Sequence, residues 1–135
     1  MMLFTKKNVG QRGESLAARY LRRNGYRIIK RNARFGHYEL DLIACDKSHI
    51  TFVEVKTRAF DSVEQASLQR PSLAVDAGKR RRTLDAAYAY LRENPSPLCP
   101  RIDVIEVYLL RDAKRKRPLR IHHIKGAVDA RGCAR

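Results

Sequence analysis

Two short apolar runs of this chain carry carboxylates and a lysine at positions where polar residues are costly. The runs are Glu39-Leu40-Asp41-Leu42-Ile43 and Phe52-Val53-Glu54-Val55-Lys56-Thr57-Arg58. Both alternate with a period of two, which is typical of β-strands and places Leu40 and Leu42 on the side opposite to Asp41. Buried charges are unfavourable unless they are paired or bind a metal. The two runs therefore predict a metal site.

The link between the runs is short and polar, which predicts a β-hairpin with its turn centred on Lys47-Ser48. Antiparallel pairing in this register places Asp41 opposite Glu54, with their Cβ atoms about 5 Å apart. The same register places Glu39 opposite Lys56. All four side chains are then expected to face the same way.

Two ionised carboxylates at this distance repel each other unless a cation or a proton lies between them. Oxygen ligands beside an ammonium group fit Mg²⁺ or Mn²⁺ better than zinc, which prefers histidine and cysteine. The alternative is a solvent-facing side of the sheet, on which Glu39 and Lys56 form a cross-strand ion pair. The large apolar residues Ile43 and Phe52 share the side of the acids and indicate that this side is covered, which favours the metal site.

The chain is strongly basic, with 29 lysines and arginines against 14 aspartates and glutamates and a net charge of +15. A polyanionic partner follows from this charge, and clustered cations that contact phosphates predict salt-sensitive, largely non-specific nucleic-acid binding. The alternatives are a generically basic surface or one that associates with ribosomes or membranes. The candidate phosphate contacts are Arg22, Arg23, Arg31, Lys79, Arg80, Arg81 and Arg82.

The elements that must position these residues follow from apolar periodicity. We expect helices over Arg12 to Asn24 and Asp76 to Glu93, and strands over Tyr26 to Lys30, Arg101 to Leu110 and Arg120 to Lys125, besides the hairpin. Asn32 to His37 is expected to be a polar connection, and Ala59 to Leu73 an irregular loop near the site. Because the second helix can return the chain parallel to the hairpin strand, this order predicts an α/β fold with a mixed sheet flanked by helices.

Glu14 has two interpretations within the first helix. At helical spacing it lies in line with Ala17 and Leu21, so its carboxylate is expected to point toward the buried side. The alternative is a first-turn acid that the helix dipole favours. Its proximity to the metal site is therefore a hypothesis at this stage.

Length and composition predict one ordered domain over residues 1–125, followed by a flexible tail over residues 126–135. Neither a signal peptide nor a membrane span is visible, and the protein is expected to be cytoplasmic. Cys45, Cys99 and Cys133 lack the spacing of metal ligands and fit reduced thiols. The sequence leaves open whether the chain forms a homodimer.

As an ordered set, the motifs resemble the YraN family of small bacterial proteins over about residues 10 to 125. The matching residues are Gly13-Glu14, Ala17, Tyr20-Leu21, Gly25-Tyr26, Asn32, both acidic runs, Lys79 and Arg101-Ile102-Asp103-Val104. The resemblance implies a three-layer restriction-endonuclease-like fold, similar to archaeal Holliday-junction resolvases. The family usually has glycine directly before the acid of the first run, where this chain has Tyr38.

The resemblance also implies a site and an activity. Asp41, Glu54 and Lys56 match the two acids and the lysine of the nuclease motif, and Glu14 matches an additional helix acid. The implied activity is Mg²⁺-dependent (or Mn²⁺-dependent) endonucleolytic hydrolysis of phosphodiester bonds in DNA, with branched DNA as a candidate substrate. Asp41, Glu54 and the backbone carbonyl of Val55 would hold the metal, Lys56 would orient water or stabilise charge, and Glu14 would hold a second metal or an outer-shell water. The alternative is a non-catalytic nucleic-acid-binding module on the same fold.

Overall fold

The fold is a five-stranded mixed sheet with helices on both faces, seen in a computed structural model that describes residues 6–69, 77–112 and 117–128. The elements are α1 (Lys6–Arg23), β1 (Arg27–Phe35), β2 (Tyr38–Cys45), β3 (His49–Phe60), α2 (Val63–Ser67), α3 (Ala77–Glu93), β4 (Cys99–Leu110) and β5 (Arg120–Val128). The strands lie in the order β1-β2-β3-β4-β5. All neighbours pair antiparallel except β3 and β4, which are parallel. The crossover between these two contains α3, as the sequence predicted.

Two apolar layers hold the sheet between α1 and α3. On one face, Ala17, Ala18 and Leu21 of α1 pack in a cluster with residues of β2 to β4, such as Val53. On the other face, Ala86, Ala87 and Tyr90 of α3 pack in a cluster that includes Phe52. Because Phe52 and Val53 are consecutive residues of one strand, their side chains point to opposite faces. The three-layer α/β fold expected from the sequence is confirmed.

The helix α1 approaches β3 closely because Gly13 has no side chain. A Cβ atom at Gly13 would overlap the side chain of Thr57. The missing side chain therefore lets α1 lie directly on β3. This contact also sets the position of Glu14, the next residue of the helix.

The strand β1 is longer than predicted, because it runs on to Phe35 through most of the stretch expected to be a connection. Only Gly36 and His37 remain as the turn between β1 and β2, since Phe35 pairs with Tyr38. As β1 is an edge strand and mostly exposed, it tolerates the polar residues that suggested a loop. The prediction of a polar connection over Asn32 to His37 is wrong for this reason.

Part of the predicted irregular loop after β3 is also ordered as helix. The strand continues to Phe60, and α2 follows with Ser62 as its N-cap, whose Oγ accepts a hydrogen bond from the amide of Gln65 at 3.1 Å. The spacing of Ser62 and Gln65 is that of a capping box, a signal for α2 that was present in the sequence. Residues 70–76 lie outside the described ranges.

Several smaller expectations have mixed outcomes. The first helix begins at Lys6, earlier than expected, and residues 126–128 of the predicted tail belong to β5, while residues 129–135 lie outside the described ranges. Cys45 is a buried free thiol, whereas Cys99 is disulfide-bonded, so the expectation of reduced thiols is wrong for Cys99. None of the helices in the described ranges is long and apolar enough to span a membrane.

Candidate functional site

The hairpin of β2 and β3 has the register that the sequence predicted. Leu42 pairs with Val53, and the pairing continues to the turn without a shift. Regular pairing ends at Leu42, and the next residue, Asp41, instead uses its carboxylate: Oδ2 accepts a hydrogen bond from the backbone N–H of Val55 at 2.8 Å. Asp41 therefore lies where β2 and β3 begin to separate.

The strand β1, which is the other neighbour of β2, is also irregular at the level of Asp41. Pairing of Arg31 with Leu42 and of Ala33 with Leu40 places Asn32 opposite Asp41, and Asn32 has a left-handed φ of 51°. Across this irregularity Leu40 packs in the cluster on the α3 face and Leu42 in the cluster on the α1 face. The expectation that Leu40 and Leu42 share a face is therefore wrong, because the period-two alternation of β2 is interrupted between them.

A pocket of about 400 Å³ lies between the β1–β2 turn, the two acidic strands and α3. Its lining residues are His37, Tyr38, Glu39, Leu40, Asp41, Val53, Glu54, Val55, Arg82 and Thr83. Asp41 and Glu54 thus share one pocket, as their register predicted. Lys56 does not line it, but alternation along β3 places Lys56 on the same face as Glu54, about 7 Å further along the strand.

The acids of the site influence one another electrostatically. Burial raises the pKa of Asp41 to about 6; the hydrogen bond from Val55 opposes this rise, and the charges of Glu14, Glu54 and Glu39 add to it. Such coupling requires the carboxylates to lie near each other in a poorly solvated place. The ionised form of Asp41 is therefore less favourable in this pocket than in water.

Glu14 joins this group from α1. Burial raises the pKa of Glu14, the charge of Arg31 lowers it, the charge of Glu39 raises it, and a hydrogen bond with the Asn32 side chain lowers it. Since α1 begins at Lys6, Glu14 lies in the middle of the helix, and its interpretation as a first-turn acid is wrong. The structure instead places it within electrostatic reach of Asp41.

The candidate metal ligands of the site are oxygen atoms, which a hard divalent cation prefers. Within the described ranges, no three histidine, cysteine, aspartate or glutamate side chains are arranged to hold a metal ion by themselves. The backbone N–H and C=O of one strand residue point to the same neighbouring strand, so the carbonyl of Val55 faces the gap that holds Asp41. Mg²⁺ commonly uses one or two carboxylates and completes its shell with waters and substrate phosphates. Asp41, Glu54 and the Val55 carbonyl match that pattern.

The alternative to a metal site was a solvent-facing side of the sheet, on which Glu39 and Lys56 form an ion pair. Among the residues that the structure describes, these two form no such pair, because the strands separate before reaching that level. In the parallel ladder Lys56 is instead aligned with Glu106 of β4. The ammonium group thus belongs to the face of Glu54 without neutralising Glu39.

Two of the predicted phosphate contacts lie near the acids. Arg82 of α3 lines the pocket, and Arg31 of β1 donates a hydrogen bond to Oγ of Ser15 at 3.0 Å, next to Glu14. Arg81 points elsewhere, toward Asp85, at 3.9 Å. The side chains of Lys79 and Arg80 are outside the described part of the structure.

The remaining predicted contacts lie away from the pocket. Arg22 and Arg23 end α1, about 13 Å along the helix axis from Glu14. Arg23 lines a second pocket of about 140 Å³, together with Arg19, Tyr20 and other residues of α1 and the β5 region. The structure therefore does not bring these arginines together with Arg31 and Arg82.

Sequence reasoning missed a buried polar network around Asp103 of β4, which is fully buried. Its carboxylate accepts hydrogen bonds from Arg101 Nε at 2.9 Å, from His123 Nε2 at 2.7 Å and from the Gly126 amide at 2.9 Å. Burial favours a higher pKa, but these hydrogen bonds prevail and hold the pKa of Asp103 below its usual value. Since His123 Nδ1 is 3.1 Å from the hydroxyl of Tyr20, the network ties α1 to β4 and β5.

A second network surrounds Glu106, which is also fully buried. Its carboxylate accepts hydrogen bonds from Arg58 Nε at 3.1 Å and the Tyr108 hydroxyl at 3.2 Å, and lies 3.2 Å from His122 Nδ1. The apolar periodicity that predicted this strand gave no sign that its acids are buried. The adjacent histidines of the last strand were the one available signal.

Fold and site together define a three-layer α/β protein with a strongly basic chain and a pocket that Asp41 and Glu54 line. The chain belongs to the family described as "Uncharacterised protein family UPF0102", whose model matches residues 13–107. This membership confirms the resemblance to the YraN family.

Relatives from several bacteria are similar over most of their length. A UPF0102 protein of Caldanaerobacter subterraneus is 42% identical over 110 residues, which cover 81% of this chain and 86% of the relative. One from Chlorobium chlorochromatii is 42% identical over 88% of this chain and 89% of its own. One from Syntrophotalea carbinolica is 40% identical over 97% of this chain and 99% of its own.

Proposed function

We propose that this protein is a metal-dependent nuclease that hydrolyses phosphodiester bonds in DNA. The observation that carries the proposal is the convergence of Asp41 and Glu54 in one pocket, with Glu14 in electrostatic reach. Mutual repulsion of these carboxylates is relieved when a divalent cation binds between them. The pocket belongs to a chain with a net charge of +15, and this positive charge attracts a polyanionic substrate.

Each residue has a role that its position supports. Asp41, Glu54 and the Val55 carbonyl would hold Mg²⁺ or Mn²⁺, an ion that would supply polarisation of the scissile phosphate and of a nucleophilic water. Lys56, on the face of Glu54, would stabilise the charge that grows on the phosphate oxygens. Glu14, which approaches from α1, would accept hydrogen bonds from water molecules at the site and orient them.

Substrate affinity comes from the arginines near the pocket rather than from the acids. Arg82 lines the pocket wall, and Arg31 lies beside Glu14, so both are within reach of phosphates that flank the scissile bond. Contacts of this kind are independent of base sequence and weaken as salt rises. A substitution that removes a metal ligand is therefore expected to leave most DNA affinity in place.

A second candidate function is a non-catalytic nucleic-acid-binding module. The observation that favours it is the lack of a preformed three-ligand metal cluster among the side chains that the structure describes. In this alternative the acids of the pocket select the path of the DNA backbone by repulsion and perform no chemistry. The basic residues have the same role in both candidates.

Metal titration and cleavage assays on Asp41→Asn separate the two. Calorimetry is expected to show Mg²⁺ or Mn²⁺ binding to the wild type and not to Asp41→Asn. The matched control is Asp61→Asn, which changes an exposed acid whose side chain is 71% accessible. Cleavage of linear, nicked and branched DNA and of structured RNA should vanish in Asp41→Asn and persist in the control. If the wild type and Asp41→Asn give the same cleavage result on every substrate while both bind, the nuclease proposal is wrong and the binding-module proposal takes its place.

A further inference from the structure

One wall of the candidate site is the tight turn that joins β1 and β2. Phe35 and Tyr38 pair with each other and leave only Gly36 and His37 in the turn. Gly36 has a φ of 62°, in the left-handed region that glycine adopts without strain. A two-residue turn between paired strands fixes the backbone of Tyr38, and therefore the position from which its side chain extends.

The ring of Tyr38 is both anchored and accessible. It is half-buried, packs against the cluster on the α3 face that contains Leu40 and Phe52, and also lines the pocket of Asp41 and Glu54. An aromatic side chain held in this way offers a rigid apolar surface to the pocket at little entropic cost, because its rotamer is already restricted. Phe35 packs against the same cluster behind the turn.

Other residues of the pocket lining are polar or basic. Arg82 and Thr83 of α3 line the pocket together with Tyr38 and the acids. The pocket therefore presents an aromatic surface, carboxylate oxygens and a guanidinium group. These are the groups that recognise a nucleobase, a metal-bound phosphate and a second phosphate, respectively.

We propose that this pocket receives one unpaired nucleotide, whose base stacks on Tyr38. The substrate is then single-stranded DNA or a single-stranded segment of branched DNA; this inference rests on the proposed function. In a duplex both faces of each base are covered by neighbouring bases, so a ring in the pocket reaches a base face only when the base is unstacked. A concave pocket of about 400 Å³ has the size of a small-ligand site, which admits a single nucleotide and excludes a duplex.

The test compares Tyr38→Leu with Tyr38→Phe, because leucine keeps apolar packing in the cluster and loses the ring, whereas phenylalanine keeps the ring. The matched control is Tyr88→Leu, which removes an exposed tyrosine of α3 that does not line the pocket. Binding is measured by fluorescence anisotropy in EDTA, so that neither metal nor cleavage affects the result. The probes are a single-stranded oligodeoxynucleotide, the same strand annealed to its complement, and a strand of equal length without bases.

Tyr38→Leu is expected to weaken binding of the single strand by about 5- to 150-fold, the range for the loss of one base stack, while Tyr38→Phe and Tyr88→Leu bind like the wild type. Binding of the duplex and of the strand without bases should stay unchanged in all variants. Equal losses on all three probes, or no loss on the single strand, overturn the inference. If these binding results hold while Asp41→Asn has no effect on cleavage, the nuclease proposal fails and the single-strand pocket stands.

Discussion

The carboxylate of Asp41 accepts a hydrogen bond from the backbone N–H of Val55 at 2.8 Å, and this bond connects β2 to β3 at the level where their regular pairing has ended. This hydrogen bond fixes a poorly solvated acid beside Glu54 in the gap between the strands. It also aligns that acid with the Val55 carbonyl, the second backbone group that faces the gap. Consequences for stability, assembly of the site and substrate binding follow from these contacts.

Asp41→Asn is expected to stabilise the metal-free protein at about pH 8. The pKa of Asp41 is about 6 when folded, against 3.8 as the ordinary value, so wild-type stability falls as pH rises from about 4 to 6 and stays low above that. Asparagine accepts the same hydrogen bond without a charge. The free energy of unfolding, from urea denaturation in EDTA, should exceed that of the wild type by about 1 to 3 kcal/mol at pH 8. The difference should disappear near pH 4, and a less stable variant at pH 8 would contradict the raised pKa.

Gly13→Ala is expected to destabilise the protein by about 1 to 3 kcal/mol, because the new Cβ would overlap Oγ1 of Thr57. The helix must then move away from β3 and carry Glu14 with it. Gly10→Ala is the matched control, since a Cβ at Gly10 meets nothing within 4 Å. Thermal unfolding of both variants is the measurement. Equal melting temperatures of the two would show that the close approach of α1 to β3 is not required.

Removal of the Asp103 carboxylate is expected to cost far more stability than removal of an exposed acid. Asp103→Ala leaves the half-buried Arg101 and His123 without this acceptor, which costs about 3 to 5 kcal/mol. Asp61→Ala breaks an exposed pair with Arg111 and should cost less than about 1 kcal/mol. Denaturant unfolding near neutral pH measures both. In the wild type the contribution of Asp103 is present above its ordinary pKa and is lost as pH falls through its lowered value.

Charge reversal at Arg82 is expected to weaken DNA binding and to flatten its salt dependence. Each lost phosphate contact lowers the log-log slope by about 0.9 on duplex DNA and about 0.7 on a single strand. The control Arg92→Glu makes the same charge change near the other end of α3, about 15 Å along the helix axis. Salt titrations of DNA affinity compare the two variants. Identical slopes would mean that net charge, rather than the pocket wall, determines binding.

If the proposed function is right, Lys56→Ala is expected to lower the rate of Mg²⁺-dependent cleavage by about 100-fold or more while leaving metal affinity unchanged, because the role proposed for Lys56 is to stabilise transition-state charge and not to bind the metal. Lys47→Ala, in the exposed hairpin turn, is the control. Single-turnover kinetics give the rate, and calorimetry gives the metal affinity. A large loss of metal affinity in Lys56→Ala would instead assign the lysine to the assembly of the metal site.

Local sequence patterns were sufficient to predict the hairpin, its register and the placement of Asp41 and Glu54 at one pocket. These features are local: period-two alternation fixes the strand type, and a short turn fixes which residues face each other. The long helix before β4 likewise predicted the parallel pair. The sequence misjudged β1, because an exposed edge strand has the composition of a loop.

Which distant residues join the site, and which polar groups are buried, depends on long-range packing that local patterns do not encode. Glu14 reaches Asp41 because Gly13 lets α1 lie on Thr57 of another element, a contact that no local pattern encodes. Arg82 reaches the pocket and Arg23 does not, because the ends of their helices lie over different parts of the sheet. The buried acids of β4 accept hydrogen bonds from donors that β5 and β3 bring, besides those of β4 itself, and the cost of burying a charge depends on such partners rather than on the residue alone.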